Sequence, residues 1–204
     1  MKRKKNILEE LTNYPYFDKE KLKTEIERFG LSKHSADAYL KDNSIVRLKR
    51  DFYIHKNQFD KEKSNLSYIF YIANNLRLPS YVSMESSMQF YGLMTETVTY
   101  AVISITNKVT RSYNTKLGKF IYHSIKDELF DFYETYTKGD YKFAIATNFK
   151  SIFDYLYFFT DRFRKQIDNS VFDLLRIDIQ ELSIKDKKQF NRLIKNYTKS
   201  GIRI

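Results

Sequence analysis

The sequence predicts an α+β fold in two parts: an N-terminal helical part ending in a basic β-hairpin, and a larger part that mixes helices with a small sheet. The first part is predicted by residues 18 to 56, which read as helix, tight turn, short helix, strand, turn and strand. The second is predicted by apolar, β-branched segments that alternate with helical patterns from residue 66 onward. With 204 residues, 17 Tyr and 17 Phe, the chain can enclose a substantial core.

Three helices are predicted in the first part. An apolar stripe indicates a first helix over residues 4 to 13. Asp18 is a suitable N-cap for the second helix, and Gly30 supplies the left-handed backbone that ends it. Ser32 can cap a third helix, which ends at Asn43.

After the third helix the sequence period changes from 3.6 residues to 2. Ile45, Arg47 and Lys49 point one way along a strand, while Val46 and Leu48 point the other. A turn with two positive charges leads to a return strand over residues 52 to 54. This order of elements predicts a winged helix-turn-helix over residues 1 to 56, whose third helix can enter a major groove and whose hairpin can touch the DNA backbone.

Positive and hydroxyl side chains at two places in this motif are candidate DNA contacts. The start of the third helix offers free N–H groups and the positive end of a helix dipole, and lysine commonly reads guanine. The hairpin would contact the backbone or the minor groove. The candidates are Ser32, Lys33, His34, Ser35, Lys41, Arg47, Lys49 and Arg50. The alternative for each is an ordinary solvated charge, which is favoured for Lys41, and Asp37 is expected to pair with Lys33 or Lys41.

The polar segment 57 to 65 is predicted to be a linker, and residues 66 to 204 the second domain. Ser83 and Glu85 are interpreted as the N-cap and a first-turn dipole partner of one helix, rather than as catalytic groups. His123 is interpreted as a packed or half-exposed strand residue. The predicted helices start at residue 66 and cover 84–91, 149–159 and 184–199; the predicted strands cover 100–106, 109–115, 119–125, 130–133 and 142–146.

The formal net charge of +11 favours an anionic partner, most commonly nucleic acid for a protein of this kind. The alternative is that the positive charge reflects only the Lys- and Asn-rich composition of proteins encoded by an AT-rich genome. If the basic side chains of two neighbouring strands share a face, they form a second basic surface. This surface would extend the DNA contact or bind a partner; the alternative is that it is an ordinary solvated face of the sheet. Its members would be Lys108, Arg111, Lys116 and Lys119.

Several classes of protein are disfavoured by the sequence. There is no cysteine, so disulfides and thiolate metal sites are excluded, which fits a reducing cytosol. No apolar run is long enough to cross a membrane, and the basic start lacks the apolar block of a signal peptide. The three histidines have no ligand spacing, and no phosphate loop or zinc-protease motif occurs. We therefore expect a cytoplasmic protein that is not an enzyme and has no cofactor, metal or catalytic residue.

Three segments in order resemble the AbiEi-type antitoxins of abortive-infection toxin–antitoxin systems. The strongest runs from Tyr81 to Leu93, reading YVSMESSMQFYGL. The second is the basic strand, glycine turn and Tyr-x-His strand from Lys108 to His123, and the third is the strand 144–146 followed by Lys150 and Asp154. The chain departs from the family at the hairpin turn, where Arg50-Asp51 replaces Arg-Gly, and at 147–150, where the family has Pro-Glu-Lys.

The resemblance implies an antitoxin that represses its own operon through the winged helix, at a promoter with inverted repeats. It also implies that the C-terminal antitoxin domain counteracts a nucleotidyltransferase-like toxin, without a necessary stable complex, in abortive infection of phage-infected cells. An acid at the hairpin turn would repel phosphate and weaken the contact there. The alternatives are a stand-alone winged-helix regulator whose C-terminal domain senses a ligand or dimerises, and a DNA-targeted hydrolase or transferase.

Overall fold

The computed structural model describes residues 2–94, 101–160, 169–174 and 176–197. Within them the chain forms a two-stranded sheet, a six-stranded mixed sheet and helices against both, so the predicted α+β class is confirmed. Tyr100 and Lys199, where a strand and the last helix were predicted to begin and end, lie outside the described residues.

Residues 2–55 form helix, helix, short helix and hairpin in the predicted order. Asp18 accepts a hydrogen bond from the Lys21 N–H at 2.7 Å, and Gly30 has a φ of +68°, so the second helix begins and ends as predicted. The third begins as a 3₁₀ turn over Lys33–Ser35. The elements are α1 (Lys2–Glu10), α2 (Lys19–Arg28), α3 (Ala36–Leu40), β1 (Ile45–Lys49) and β2 (Phe52–His55).

The hairpin lies between two cores. Tyr53 and Ile45 face the side chains of α1, α2 and α3. On the other face, Val46, Leu48 and Ile54 pack into the same core as side chains of the large sheet. This alternation matches the predicted period of two, and it joins the N-terminal part to the rest of the molecule through shared apolar contacts.

The large sheet has the strand order β5-β6-β4-β3-β8-β7. Strands β4 and β6 are parallel, as are β3 and β8, and the remaining neighbours are antiparallel. Its strands are β3 (Tyr81–Val82), β4 (Ala101–Thr106), β5 (Arg111–Thr115), β6 (Gly118–Ser124), β7 (Tyr133–Lys138) and β8 (Tyr141–Ala146).

Helices cover both faces of this sheet. One face packs on α5, whose Tyr68, Phe70 and Ile72 are buried with the hairpin. The other packs on α6, α7 and the last helix, whose Phe190 is fully buried. The helices are α4 (Lys56–Glu62), α5 (Leu66–Leu76), α6 (Met84–Phe90), α7 (Asn148–Phe159), α8 (Ser170–Leu174) and α9 (Ile184–Tyr197).

Two local predictions were wrong. The predicted linker 57–65 is mostly the helix α4, which exists because His55 at the end of β2 accepts the Asn57 N–H at 3.2 Å and so caps it. The strand predicted at 130–133 lies later, at β7, after a 3₁₀ turn over Asp127–Leu129. All of β7 is exposed, so its sequence lacks the alternation that marks a half-buried strand.

No helix among the described residues is both long enough and apolar enough to traverse a lipid bilayer.

Candidate nucleic-acid interface

The start of the third helix presents its polar side chains to solvent. Lys33 and His34 are exposed, and Ser32 accepts the His34 N–H at 3.4 Å. The Ser35 hydroxyl donates to the Ser32 carbonyl at 2.8 Å, which leaves its lone pairs free to accept. Lys41, at the end of α3, is exposed as well. The predicted candidates on this helix are therefore accessible to a ligand.

Lysines from two helices surround a shallow pocket of about 240 Å³ beside this helix, which we call the basic pocket. Each lysine also has a carboxylate neighbour. Lys19 binds Asp37 at 2.7 Å, and this hydrogen bond lowers the pKa of Asp37. The sequence had instead predicted that Asp37 pairs with Lys33 or Lys41. The pocket is lined by Lys19, Lys23, Lys33, His34 and Asp37.

Lys33 is the most available lysine of the basic pocket. Its partner Glu27 is 3.8 Å away, and both side chains are more than half exposed. Exposed pairs of this kind contribute about 0–1 kcal/mol, so a DNA phosphate can replace Glu27 at small cost. Lys23, by contrast, lies 2.6 Å from Glu20.

The hairpin turn lies next to the basic pocket. Asp51, at a φ of +58°, accepts a hydrogen bond from the backbone N–H of Lys19 at 2.9 Å. Lys19 in turn reaches Asp37 on α3, so the turn, the start of α2 and the third helix form one continuous surface. The Asp51 carboxylate is therefore held against the N-terminus of α2, and the expected repulsion of phosphate at the turn is reduced.

Two arginines of the hairpin are exposed and carry uncompensated charge. Arg47 donates through Nε to the Lys49 carbonyl at 3.2 Å, and Arg50 is at the turn. Neither makes an ion pair with a carboxylate in the part of the chain that the structure describes. The hairpin therefore offers stronger net positive charge than the basic pocket.

Lys49 was predicted as a DNA contact, and the structure places it elsewhere. Its Nζ donates to the Leu76 carbonyl, the last of α5, at 2.6 Å. It also lies 5.7 Å from the ring centroid of Phe52 and 5.6 Å from that of Tyr113. Cation–π contacts and the vacant carbonyls at a helix end both favour a lysine at this place. Lys49 links the hairpin to α5 and the large sheet, so its ammonium group is not available to contact DNA.

Further cations gather around the Lys49 anchor. Lys108 donates to the Leu78 carbonyl at 2.5 Å, and Arg77 donates to the Val109 carbonyl at 2.5 Å. Arg111 lies 5.8 Å from the Tyr113 ring, which Lys49 also contacts. We call these four residues, Lys49, Arg77, Lys108 and Arg111, the hairpin-side cluster. It continues the positive surface of the hairpin onto the large sheet.

The predicted second basic surface does not form as one patch. In the ladder between β5 and β6, Arg111 is opposite Tyr122 and Asn114 is opposite Lys119. Since side chains alternate along a strand, Arg111 and Lys119 lie on opposite faces. Lys116 is exposed at the connecting turn. Only Lys108 and Arg111 of the four adjoin the hairpin.

A buried polar network lies behind the sheet, and sequence reasoning missed it. Lys150 and Asp154 on α7 are fully buried and 2.5 Å apart. The second Asp154 oxygen accepts from the Ser83 hydroxyl at 2.7 Å and the Tyr81 hydroxyl at 3.0 Å. Burial raises the pKa of Asp154, and Lys150 with the two hydroxyl donors opposes that rise.

This network corrects the interpretation of Ser83. Its hydroxyl is not an N-cap of α6, because it is used by Asp154. Met84, the first residue of that helix, has a φ of +54°, so the chain turns sharply between β3 and α6. The network joins two of the segments that resemble the antitoxin family. The sequence signal for it is the spacing of Lys150 and Asp154 by four residues, which places both on one face of a helix.

The described residues also line an open, mostly apolar pocket of about 300 Å³ between α5, α6, β4 and the β5–β6 turn, which we call the apolar pocket. Its walls include Ile69, Phe70 and Val102, with polar groups from Ser86, Gln89 and Lys119. Nothing in the sequence alone indicated it, because its walls come from distant segments.

Comparison with models of known protein families gives no match, and comparison with curated protein sequences gives none either.

Proposed function

We propose that this chain is a cytoplasmic DNA-binding antitoxin that represses its own operon and counteracts a nucleotidyltransferase-like toxin in abortive infection. DNA binding is supported by one observation above the rest: the hairpin turn with the exposed Arg50 adjoins the basic pocket and the exposed start of the third helix. Within the described residues, neither Arg50 nor the exposed Arg47 pairs with a carboxylate. Positive side chains on one continuous surface are what a duplex backbone requires.

In this proposal the two halves of the surface have different tasks. Arg47 and Arg50, with the exposed Arg111 beside them, hold phosphates and position the protein. Lys33 and His34 reach the base edges from the start of the third helix, where free N–H groups also suit a phosphate. Asp37 remains occupied by Lys19.

The antitoxin part of the proposal is supported by the family resemblance. The first segment of the resemblance supplies Tyr81 and Ser83, and the third supplies Lys150 and Asp154. The Asp154 carboxylate binds the other three side chains. A buried ionic network of this kind stabilises the geometry of a domain. In this proposal, the surface of that domain counteracts the toxin. A direct complex with the toxin is not required.

Footprinting and a salt titration on the DNA upstream of the gene test the DNA-binding proposal. Lys33→Ala with Arg50→Ala should abolish binding at moderate salt. At low salt, where weak binding can still be measured, it should reduce the slope of log K against log salt by about 1, since the phosphate contact of Arg50 contributes about 0.9 and Lys33 reads base edges. Lys61→Ala with Lys142→Ala is the matched control, because it removes the same charge from exposed positions on α4 and β8. Equal affinity of both double variants would overturn the proposal.

A second candidate function is a stand-alone regulator whose larger part senses a small molecule. It is favoured by the apolar pocket, whose volume of about 300 Å³ is at the lower end of small-molecule sites. A neighbouring gene for a nucleotidyltransferase-like toxin, and rescue of cells from that toxin by this protein, favour the antitoxin. Loss of promoter binding on addition of a metabolite, with no such rescue, favours the regulator.

A further inference from the structure

Among the described residues, the large sheet has one free edge. Strand β5 at one end contacts β1 of the hairpin, whereas β7 at the other end has β8 as its sole strand neighbour among the described residues. All six residues of β7 are exposed. Phe132, Tyr133 and Tyr136, with relative exposures of 39%, 41% and 37%, are three of the eight large apolar side chains that the described residues expose. An edge of this kind is a template for another strand.

The backbone of β7 shows which groups face outward. The Thr147 N–H donates to the Phe132 carbonyl at 3.0 Å, in register with the ladder that pairs β7 and β8. Hydrogen-bonded pairs alternate along an antiparallel ladder, so Glu134, Tyr136 and Lys138 also turn their backbone groups toward β8. The N–H and C=O groups of Tyr133, Thr135 and Thr137 therefore face outward, away from the sheet.

A second copy of β7 can satisfy these groups. In an antiparallel alignment centred on Tyr136, Thr135 of each copy is opposite Thr137 of the other, and these residues exchange outward hydrogen bonds. The same alignment sets Glu134 opposite Lys138 twice and Tyr136 opposite itself. Opposite charges and aromatic pairs across strands each contribute about 0.2–1 kcal/mol. The side chains are therefore self-complementary about a twofold axis.

Neighbouring alignments that keep the outward groups paired are worse. Centring the pair on Glu134 sets that carboxylate against its own copy. Centring it on Thr137 sets Glu134 against Asp140, again two acids. Centring it on Thr135 sets Glu134 against Tyr136 and leaves the charges uncompensated. The alignment on Tyr136 alone combines opposite charges with the observed outward hydrogen-bonding groups.

We infer that this chain forms a symmetric dimer in which β7 pairs antiparallel with β7 of a second copy, so that two six-stranded sheets become one. The inference does not depend on DNA binding, because it rests on the edge strand at the opposite end of the sheet from the hairpin. Glu134 already accepts from the Tyr91 hydroxyl at 3.2 Å, which orients its carboxylate and leaves its other oxygen for Lys138.

A charge swap tests the pairing in the full chain. Sedimentation should give twice the chain mass of 24.6 kDa at micromolar concentrations. Lys138→Glu should shift the mass to that of a monomer by setting two carboxylates against each other, whereas the exposed control Lys142→Glu on β8 should not. Glu134→Lys combined with Lys138→Glu should restore the dimer, because the swapped charges still meet.

A single thiol gives a second measurement. The chain has no cysteine, so Tyr136→Cys places one thiol at the twofold axis. The two residues there form a non-hydrogen-bonded pair with Cα atoms about 4.5 Å apart, within the range of about 4.4–6.8 Å that a disulfide spans. Mild oxidation should yield a covalent dimer, and Ser112→Cys on the opposite edge strand should not. A monomer at every concentration, or a dimer that Lys138→Glu leaves intact, overturns the inference.

Discussion

Single residues near the hairpin turn have structural tasks that their charge does not reveal. Asp51 was expected to repel phosphate from its position in sequence, yet it accepts the Lys19 N–H and adopts a φ of +58°. Both features suit aspartate, which tolerates the left-handed region better than most residues. The contact could not be predicted, because it joins residues 32 positions apart.

Replacing Asp51 tests this contact. Asp51→Ala loses the hydrogen-bond acceptor and places a residue that disfavours positive φ at the turn, so we expect a loss of about 1–2 kcal/mol in the free energy of unfolding. Asp51→Asn keeps an acceptor and tolerates the backbone, and should cost less. Urea denaturation measures both, and equal losses would contradict the assigned contact.

The buried pair on α7 provides a second test. Lys150→Met leaves the Asp154 carboxylate buried without its cation, which typically costs about 3–5 kcal/mol. Adding Asp154→Asn to Lys150→Met removes the unpaired charge, so the double variant should lose less than the sum of the two single changes. Chemical denaturation of the four proteins gives this coupling directly, and additive losses would argue against a tightly coupled pair.

Among the elements, the helices were the most predictable and the edge strand the least. Asp18 and Gly30 mark the two ends of α2 locally, and Gly92 marks the end of α6; both glycines have positive φ. Strand β3 has only two residues, too few for a pattern to develop. The helix α4 was taken for a linker because it is polar, with Glu62 as its one buried residue in the described chain.

The first helix is held to the end of the third by an ion pair whose strength depends on pH. Lys4 lies 2.8 Å from Asp42, and this contact, with hydrogen bonds from Ser44, lowers the pKa of Asp42 from 3.8 to about 2. A lowered pKa contributes stability above the unfolded value, and the contribution is lost as pH falls from about 4 toward 2.

We expect Asp42→Asn to reduce the free energy of unfolding by about 1–2 kcal/mol at neutral pH, allowing for partial exposure of the pair. The difference from the unmodified protein should shrink as pH falls from about 4 toward 2, because the carboxyl group is then protonated in both states. Denaturation curves across this range measure it. Asp60→Asn, in a pair with Lys63 that is about half exposed, is the control and should change little.

For the whole molecule, the boundary between the two parts is less complete than the sequence suggests. Val46, Leu48 and Ile54 share a core with Phe70 and Tyr122. Tyr68 donates from its hydroxyl to the Pro15 carbonyl at 2.7 Å, and Tyr16 donates to Asn75 at 3.0 Å. Such contacts between distant segments are not visible in local periodicity, which is why the sequence predicts the elements better than their assembly.

Because the hairpin shares a core with the large sheet, removal of residues 1–56 should destabilise the rest of the chain. The truncated chain should expose the apolar face that the hairpin covers, and should unfold at lower temperature or aggregate. Circular dichroism with thermal melting checks this. Lys33→Ala with Arg50→Ala, which leaves the core intact, should melt like the unmodified chain and is the better variant for separating the proposed DNA binding from the proposed toxin neutralisation.

The contact of Lys49 with the last carbonyl of α5 has a consequence for control. The same helix supplies Leu66, Ile69 and Phe70 to the apolar pocket, so both the hairpin and the pocket contact α5. An effector that moves α5 would displace the hairpin with it. Under the proposed function, reciprocity requires that DNA weaken effector binding by the same factor by which the effector weakens DNA binding, and isothermal titration with one ligand in the presence of the other measures that factor.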